Sequence, residues 1–425
     1  MSRVAPGPRG WEVVSTLLRL RRDPLRSFLA ARARWGPCVR VPLGKRTFYL
    51  IADPAGARRV LCDNARNYTK DTWSFGLLRG ALGEGLLTGD GAVWRAQRRR
   101  AQPAFSRARI QALADTVVAH TDYMLAAWPA DGDVDVGAEM VRVTLRIMSS
   151  AMLGVDVARE VTEISRHLSG VLAYMRDRTA SLIGWPRAAR RFRAHVAALD
   201  GVVDGIIRAR RAAPGSRADA LSALLEARDE DGSALADDEI CAQVKTFLLA
   251  GHETTASLLT WTLGLLAAHP AAVDRARTAP DTVFKEALRL YPPLWLVERR
   301  ATLPDEIGGV SIPAGSPVAV CQWALHRDPA IWPEPERFDP DRFLPAAEAA
   351  RPRGAYLPFG AGARTCVGEG FAMMLARLVI ARVLDAFRLA PAGPLPEPVA
   401  CVTLRPAAPV RLRVTRHEAS RAAVA

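Results

Sequence analysis

Apolar residues recur at helical spacing over much of the chain. Leu17, Leu18, Leu20, Leu25, Phe28 and Leu29 predict a helix over residues 11–35. Alternation then replaces that period. Val39, Val41 and Leu43, followed by Phe48, Leu50 and Ile51, predict a hairpin over 38–51 that turns at Gly44-Lys45. Asp53-Pro54 signals a capped helix over 53–64. Residues 68–91 are rich in glycine, with Trp73 and Phe75 embedded, and predict a long irregular loop of the functional kind. From 92 to 230 the pattern is helical almost throughout.

The longest periodic stretch is 238–268, capped by Asp237 and stopped by Pro270. Gly251, Thr254 and Thr255 in its middle predict a kink or bulge, because their side chains favour alternatives to regular helix. A helix over 281–290 ends at Pro292-Pro293. Short strands follow at 297–320, then a Pro-rich structureless meander at 326–345. A glycine loop at 360–364 leads into an apolar helix over about 367–387, and strands close the chain at 399–414. Helices and short strands intermingle without a βαβ rhythm, which excludes a doubly wound sheet and points to a mainly α fold with a small β-rich lobe.

Composition agrees with this picture. Half of the 425 residues are apolar and Ala, Leu and Arg dominate, as in a large helical core. The net charge of +14 is uneven: the first 60 residues hold 13 Lys or Arg against three acids. Neither zinc-finger spacing nor an aromatic RNA-binding signature accompanies it, so nucleic acid is not expected as a partner. The six cysteines show no paired spacing and suit a reducing cytoplasm. No stretch has the apolar length of a transmembrane anchor. The basic, amphipathic stretch after Pro6-Gly7-Pro8-Arg9-Gly10 suits either a membrane surface or, more simply, a plain surface helix.

The strongest chemical signal is Phe359-Gly360-Ala361-Gly362-Ala363-Arg364-Thr365-Cys366-Val367-Gly368. A Cys at a helix N-terminus meets unsatisfied N–H groups and the positive end of the dipole, and both favour the metal-binding thiolate. The glycines let backbone amides approach the sulfur. The segment resembles the cytochrome P450 heme-binding signature at Phe359, Gly362, Arg364, Cys366 and Gly368. The resemblance implies heme b held through Cys366 as the iron ligand, within the loop built around Gly360. It also implies the family's fold, a triangular helical prism around a buried heme, as a single domain over 1–425.

Other segments extend the resemblance in the family's order. Trp94 and Arg98, on one helical face, are similar to the family's Trp-x-x-x-Arg pair that contacts a heme propionate. Arg364 and Arg299, or its neighbour Arg300, resemble further propionate ligands. Glu253-Thr254 resembles the oxygen-activation motif, in which Thr254 hydrogen-bonds dioxygen and Glu253 relays protons. Glu286 and Arg289 lie three apart and share a helix face. They resemble the Glu-x-x-Arg pair, which the family joins to an Arg from a Pro-Glu-Arg-Phe element, here Arg337, in a buried structural network. His252-Glu253 lacks the second His of a zinc protease helix, and His326-Arg327-Asp328 lacks the partner motifs of a kinase.

The implied reaction is insertion of one oxygen atom from O2 into a lipophilic small molecule, terpenoid, fatty acid or polyketide, by hydroxylation or epoxidation. The alternatives are a peroxide-driven peroxygenase and a non-catalytic heme-binding protein. Electrons would come from a separate ferredoxin and ferredoxin reductase, to a cytoplasmic monomer. Pocket walls are expected at Trp73, Phe75, Leu77, Phe247, Ala250, Leu294, Trp295, Val297 and Leu404.

Overall fold

The computed structural model describes residues 3–43, 46–154, 158–180, 186–212, 219–228 and 232–418. The chain packs as two compact units. The first gathers Met1–Gly76, Thr282–Cys366 and Glu397–Ala407; the second gathers Leu77–Asp281, Val367–Pro396 and Ala408–Ala425.

The first unit is the β-rich one. Its mixed sheet runs in the order Cys38–Leu43, Arg46–Ile51, Pro317–Val320, Val297–Ala301, Tyr68–Thr69. The alternation seen in the sequence places Cys38, Tyr49, Ile51, Val318 and Val320 in one apolar cluster and Val39, Val41, Leu50 and Ala52 in another. The sheet is thus covered on both faces. The expected hairpin pairs Cys38 with Ile51 through Leu43 with Arg46, and its turn at 44–45 lies outside the described residues. A second hairpin, Asp305–Ile307 with Val310–Ile312, turns at Gly308-Gly309, both left-handed at φ 57° and 78° as a two-residue turn of primed type requires.

Two expectations about the N-terminal part of the chain are corrected. The helix over 11–35 is two helices, Trp11–Arg22 and Pro24–Trp35. Pro24 cannot continue the first, and the Asp23 carboxylate caps the second by accepting from the Arg26 N–H at 3.0 Å. The stretch 68–91 is not wholly irregular, since Trp73–Leu82 is a helix despite Gly76 and Gly80.

The second unit is helical. The long helix Asp237–Ala268 packs against Val136–Leu153 and Glu369–Ala386. Asp237 is its first residue and not its cap; Ala236 holds the cap position, and its N–H donates to the Glu239 carboxylate at 3.2 Å. The helix runs unbroken through Gly251 and Thr254. Gly251 serves close packing, since a Cβ there would run into Met148 of the neighbouring helix. A strand absent from the sequence reading, Asp131–Asp135, pairs with Arg411–Arg416, which also pairs with Phe387–Pro391.

Candidate functional site

In the first unit, the loop ahead of Cys366 is held by its own backbone. Gly360 N–H donates to the Leu357 carbonyl and Thr365 N–H to the Gly362 carbonyl, each at 3.1 Å, and Cys366 N–H donates to the Phe359 carbonyl at 2.9 Å. Gly360 and Gly362 adopt φ 73° and 70°, which a side chain would strain. At Gly362 the space is closed as well: a Cβ would run into the Leu61 carbonyl. The loop therefore rests on the turn Arg59–Asp63 with no room for any other residue.

This loop presents the Cys366 thiol exposed. Cys38, Cys241 and Cys321 are buried, and desolvation pushes each thiol up to about 12, which makes them inert. The following helix begins at Glu369 with Gly368 at its cap, so Cys366 precedes the first helical turn and does not occupy it.

In the same unit, the strand Val297–Ala301 separates the two arginines the sequence left open. Arg300 turns to Asp71 at 2.5 Å on the surface, while Arg299 is buried, one Nη1 hydrogen donating to the Glu298 carbonyl at 2.8 Å. Of the two, Arg299 has the setting of a buried carboxylate partner. Arg364 is partly buried in the 3-10 turn Gly362–Arg364.

The first unit also holds a buried ion pair. Glu286 and Arg289 have no exposed surface, and Arg289 meets both carboxylate oxygens at 2.7 and 2.8 Å. Its remaining hydrogens go to the carbonyls of His326 (2.9 Å), Pro335 (2.7 Å) and Arg337 (3.2 Å). Burial lifts the Glu286 carboxyl above its usual range, opposed by Arg289 and by the Asp339 N–H. The third arginine is not Arg337. The Arg337 guanidinium is 63% exposed and pairs with Glu334, so only its carbonyl joins the network. Arg342 takes the place, its Nε 3.5 Å from Glu286. Pro335-Glu336-Arg337-Phe338 and Pro340-Asp341-Arg342-Phe343 are near-repeats five residues apart, and the second was the missed signal.

His326 was likewise underread. It is fully buried, and Nε2 accepts the Leu357 N–H at 3.0 Å, which ties the meander to the segment entering the Cys366 loop. Desolvation, with Arg289 and Arg327 nearby, lowers it to about 3, so the ring is neutral. Arg327, stacked on Trp323, is lowered by burial to about 10.

In the second unit, Trp94 is buried and Arg98 partly so, one turn apart on the helix Gly91–Ala101. The long helix is buried along its length except at its ends and at Ala250, Gly251 and Thr254. These three lie on one side, and Thr254 Oγ1 donates to the Ala250 carbonyl at 2.6 Å. Glu253 is buried beside them.

The expected pocket residues differ in exposure and packing. Ala250 and Leu294 keep exposed surface, as does Trp73, and Phe75 sits under the Lys70 ammonium at 5.1 Å. Val297 packs partly buried against the core. Phe247 packs edge-on with Phe105 at 5.4 Å, and Trp295 stacks with Phe28 at 5.9 Å. Leu404 is 0% exposed within the apolar core and has no surface left to offer a pocket.

The donor set of the first unit suits a heme: an exposed thiol on a rigid glycine loop, with arginines of the kind that bind carboxylates at 299 and 364. The cytochrome P450 family model matches residues 5–409. A cyclooctatin synthase of Streptomyces melanosporofaciens is 40% identical over 416 residues, 91% of this chain and 90% of that protein. A pentalenene oxygenase of Streptomyces avermitilis is 31% identical over 436 residues, 96% of each. Among solved structures, CYP175A1 from Thermus thermophilus superposes with a TM-score of 0.82 at 29% identity, covering 96% of this chain and 99% of that one. The retinoic acid-bound cyanobacterial CYP120A1 gives 0.85 at 26% identity, covering 98% and 100%. Motif, loop geometry and a match through both compact units agree, and the chain belongs to the cytochrome P450 family, with heme b as its cofactor.

Proposed function

We propose that this monooxygenase inserts one oxygen atom from O2 into a terpenoid, with Cys366 as the iron ligand. The observation that carries the reading is the exposed Cys366 thiol on a loop whose glycine at 362 admits no side chain. When bound, heme with a thiolate ligand supplies the activation of dioxygen. The chain's own residues do the rest. Arg299 and Arg364, and Arg98 with Trp94, would bind the heme propionates. Thr254 Oγ1, which donates to the Ala250 carbonyl, is the hydroxyl that would hydrogen-bond dioxygen, and buried Glu253 would relay a proton.

The terpenoid class is supported by relatives named for such compounds, a cyclooctat-9-en-7-ol 5-monooxygenase at 33% identity and the pentalenene oxygenase. Electrons come from a separate cytoplasmic redox partner, for which an acidic ferredoxin suits the chain's +14 charge. Turnover with it falls as salt is raised.

The test is the carbon-monoxide difference spectrum of the reduced protein. Wild type shows the red-shifted Soret band of a thiolate-ligated heme, and Cys366→Ala loses it. An unchanged spectrum in that variant overturns the assignment. Product formation from a terpenoid alcohol with O2, ferredoxin and reductase then separates an oxygenase from a heme carrier.

A further inference from the structure

The helix Trp11–Arg22 carries two apolar faces. Thr16 is buried, and Leu17 and Leu20 pack on the core cluster around Phe28 and Trp323. Trp11, Val14 and Leu18 turn the other way and are 78%, 61% and 63% exposed. At about 100° per residue these three fall within roughly 60° of arc. Arg21 and Arg22, both exposed, flank that arc on its two sides in the last turn. The nearby acids are engaged elsewhere: Glu12 with Arg34 at 2.6 Å, and Asp23 with Arg26 as cap and ion pair. What remains is an apolar ridge led by a tryptophan and bordered by positive charge.

We propose that this helix is a membrane-surface contact, lying in the headgroup boundary of an anionic phospholipid bilayer. The assignment is independent of the catalytic reading. An exposed Trp with aliphatic neighbours one turn apart is the apolar half of an interfacial helix, and flanking Arg side chains are its lipid-phosphate half. Charge selects the occupant. A second copy would bring +14 against +14. Three side chains on a short helix also present far less area than the roughly 1,000 Å² of a stable protein interface. A bilayer needs no such area and supplies the complementary charge. No single described helix is long and apolar enough to cross a membrane. Its consequence is residence where lipophilic compounds concentrate.

The test is co-sedimentation of the full chain with vesicles of phosphatidylcholine alone and of equal parts phosphatidylcholine and phosphatidylglycerol. Wild type sediments with the mixed vesicles, less with phosphatidylcholine alone, and less as salt rises. Trp11→Ser with Leu18→Gln, and separately Arg21→Gln with Arg22→Gln, each lower partitioning about tenfold. Both variants keep the wild-type thermal midpoint, because all four side chains are exposed. Wild type that ignores the mixed vesicles, or a Trp11→Ser, Leu18→Gln variant that binds them as well as wild type does, overturns the proposal. So does a dimer or a ferredoxin complex that this variant dissolves while vesicle binding stays unchanged.

Discussion

Two regions carry polar side chains into the interior, and they are built in opposite ways. The buried Arg289 guanidinium bonds the Glu286 carboxylate one turn back on its own helix and, in other segments, the carbonyls of His326, Pro335 and Arg337. Along the middle of the long helix the hydroxyls turn inward on their own backbone: Thr254 bonds Ala250, Thr260 bonds Ala256 and Thr262 bonds Leu258. The first arrangement joins distant segments and leaves no surface. The second makes no long-range bond through those hydroxyls, and burial lapses at Ala250, Gly251 and Thr254. Polar residues joined to other segments hold the fold; polar residues bonded locally beside a gap in burial are available for chemistry.

The comparison breaks most visibly at Arg289. Arg289→Ala strands the Glu286 carboxylate with no exposed surface and orphans three carbonyls. Removing one partner of a buried pair costs about 3–5 kcal/mol. Urea unfolding of the purified variant should show that loss, or the variant should fail to accumulate folded. A loss under about 1 kcal/mol, in the range of a surface pair, would show that the network is not the anchor described.

His326 sharpens the same side through pH. Its ring is held at about 3 by burial and the neighbouring arginines, against about 6.5 when unfolded. Between those values the unfolded chain binds a proton that the folded chain refuses. Stability is therefore full above about pH 6.5 and declines as pH falls toward about 3, at up to about 1.4 kcal/mol per unit. Unfolding free energies measured down this range should fall more steeply for wild type than for His326→Gln. Equal slopes would contradict a neutral, buried ring.

How far the sequence can be read follows the same division. Glu286 and Arg289 are legible because helical spacing alone puts them together. The choice between Arg337 and Arg342 is not, since both precede Phe and follow an acid, and only the packing of the meander decides which guanidinium turns inward. The Cys366 loop is legible from its glycines, whose left-handed φ values no other residue adopts easily. The helix Trp73–Leu82 was hidden by Gly76 and Gly80, whose low propensity its surroundings override. The split at 23–24 was visible in principle, being the same Asp-Pro cap signal that the reading used at 53–54. The close approach of Met148 to Gly251 is a packing relation that no local pattern reveals.

The two arginines make a smaller and cleaner contrast. Arg342 is nearly buried at 3.5 Å from Glu286, whereas Arg337 stands in solvent. Arg342→Ala should cost about 1–3 kcal/mol, since it removes a charge that offsets a buried carboxylate. Arg337→Ala should stay within about 0.5 kcal/mol of wild type. Reversal of that order in thermal unfolding would restore Arg337 to the network.

Thr254 should give the smallest stability effect and the most telling one. Its hydroxyl bonds only the Ala250 carbonyl of its own helix among the bonds described for it, and Thr is a poorer helix former than Ala. Thr254→Ala should therefore leave the protein as stable as wild type, or more stable by up to about 0.5 kcal/mol. Product formed per electron pair from the redox partner should nonetheless fall, because the proposed hydroxyl contact to dioxygen is gone, while turnover driven by added peroxide should be spared. A variant that loses stability together with coupling would place Thr254 with Arg289 among the residues that hold the fold, and the distinction between the two regions would fail at the residue on which the proposed chemistry depends.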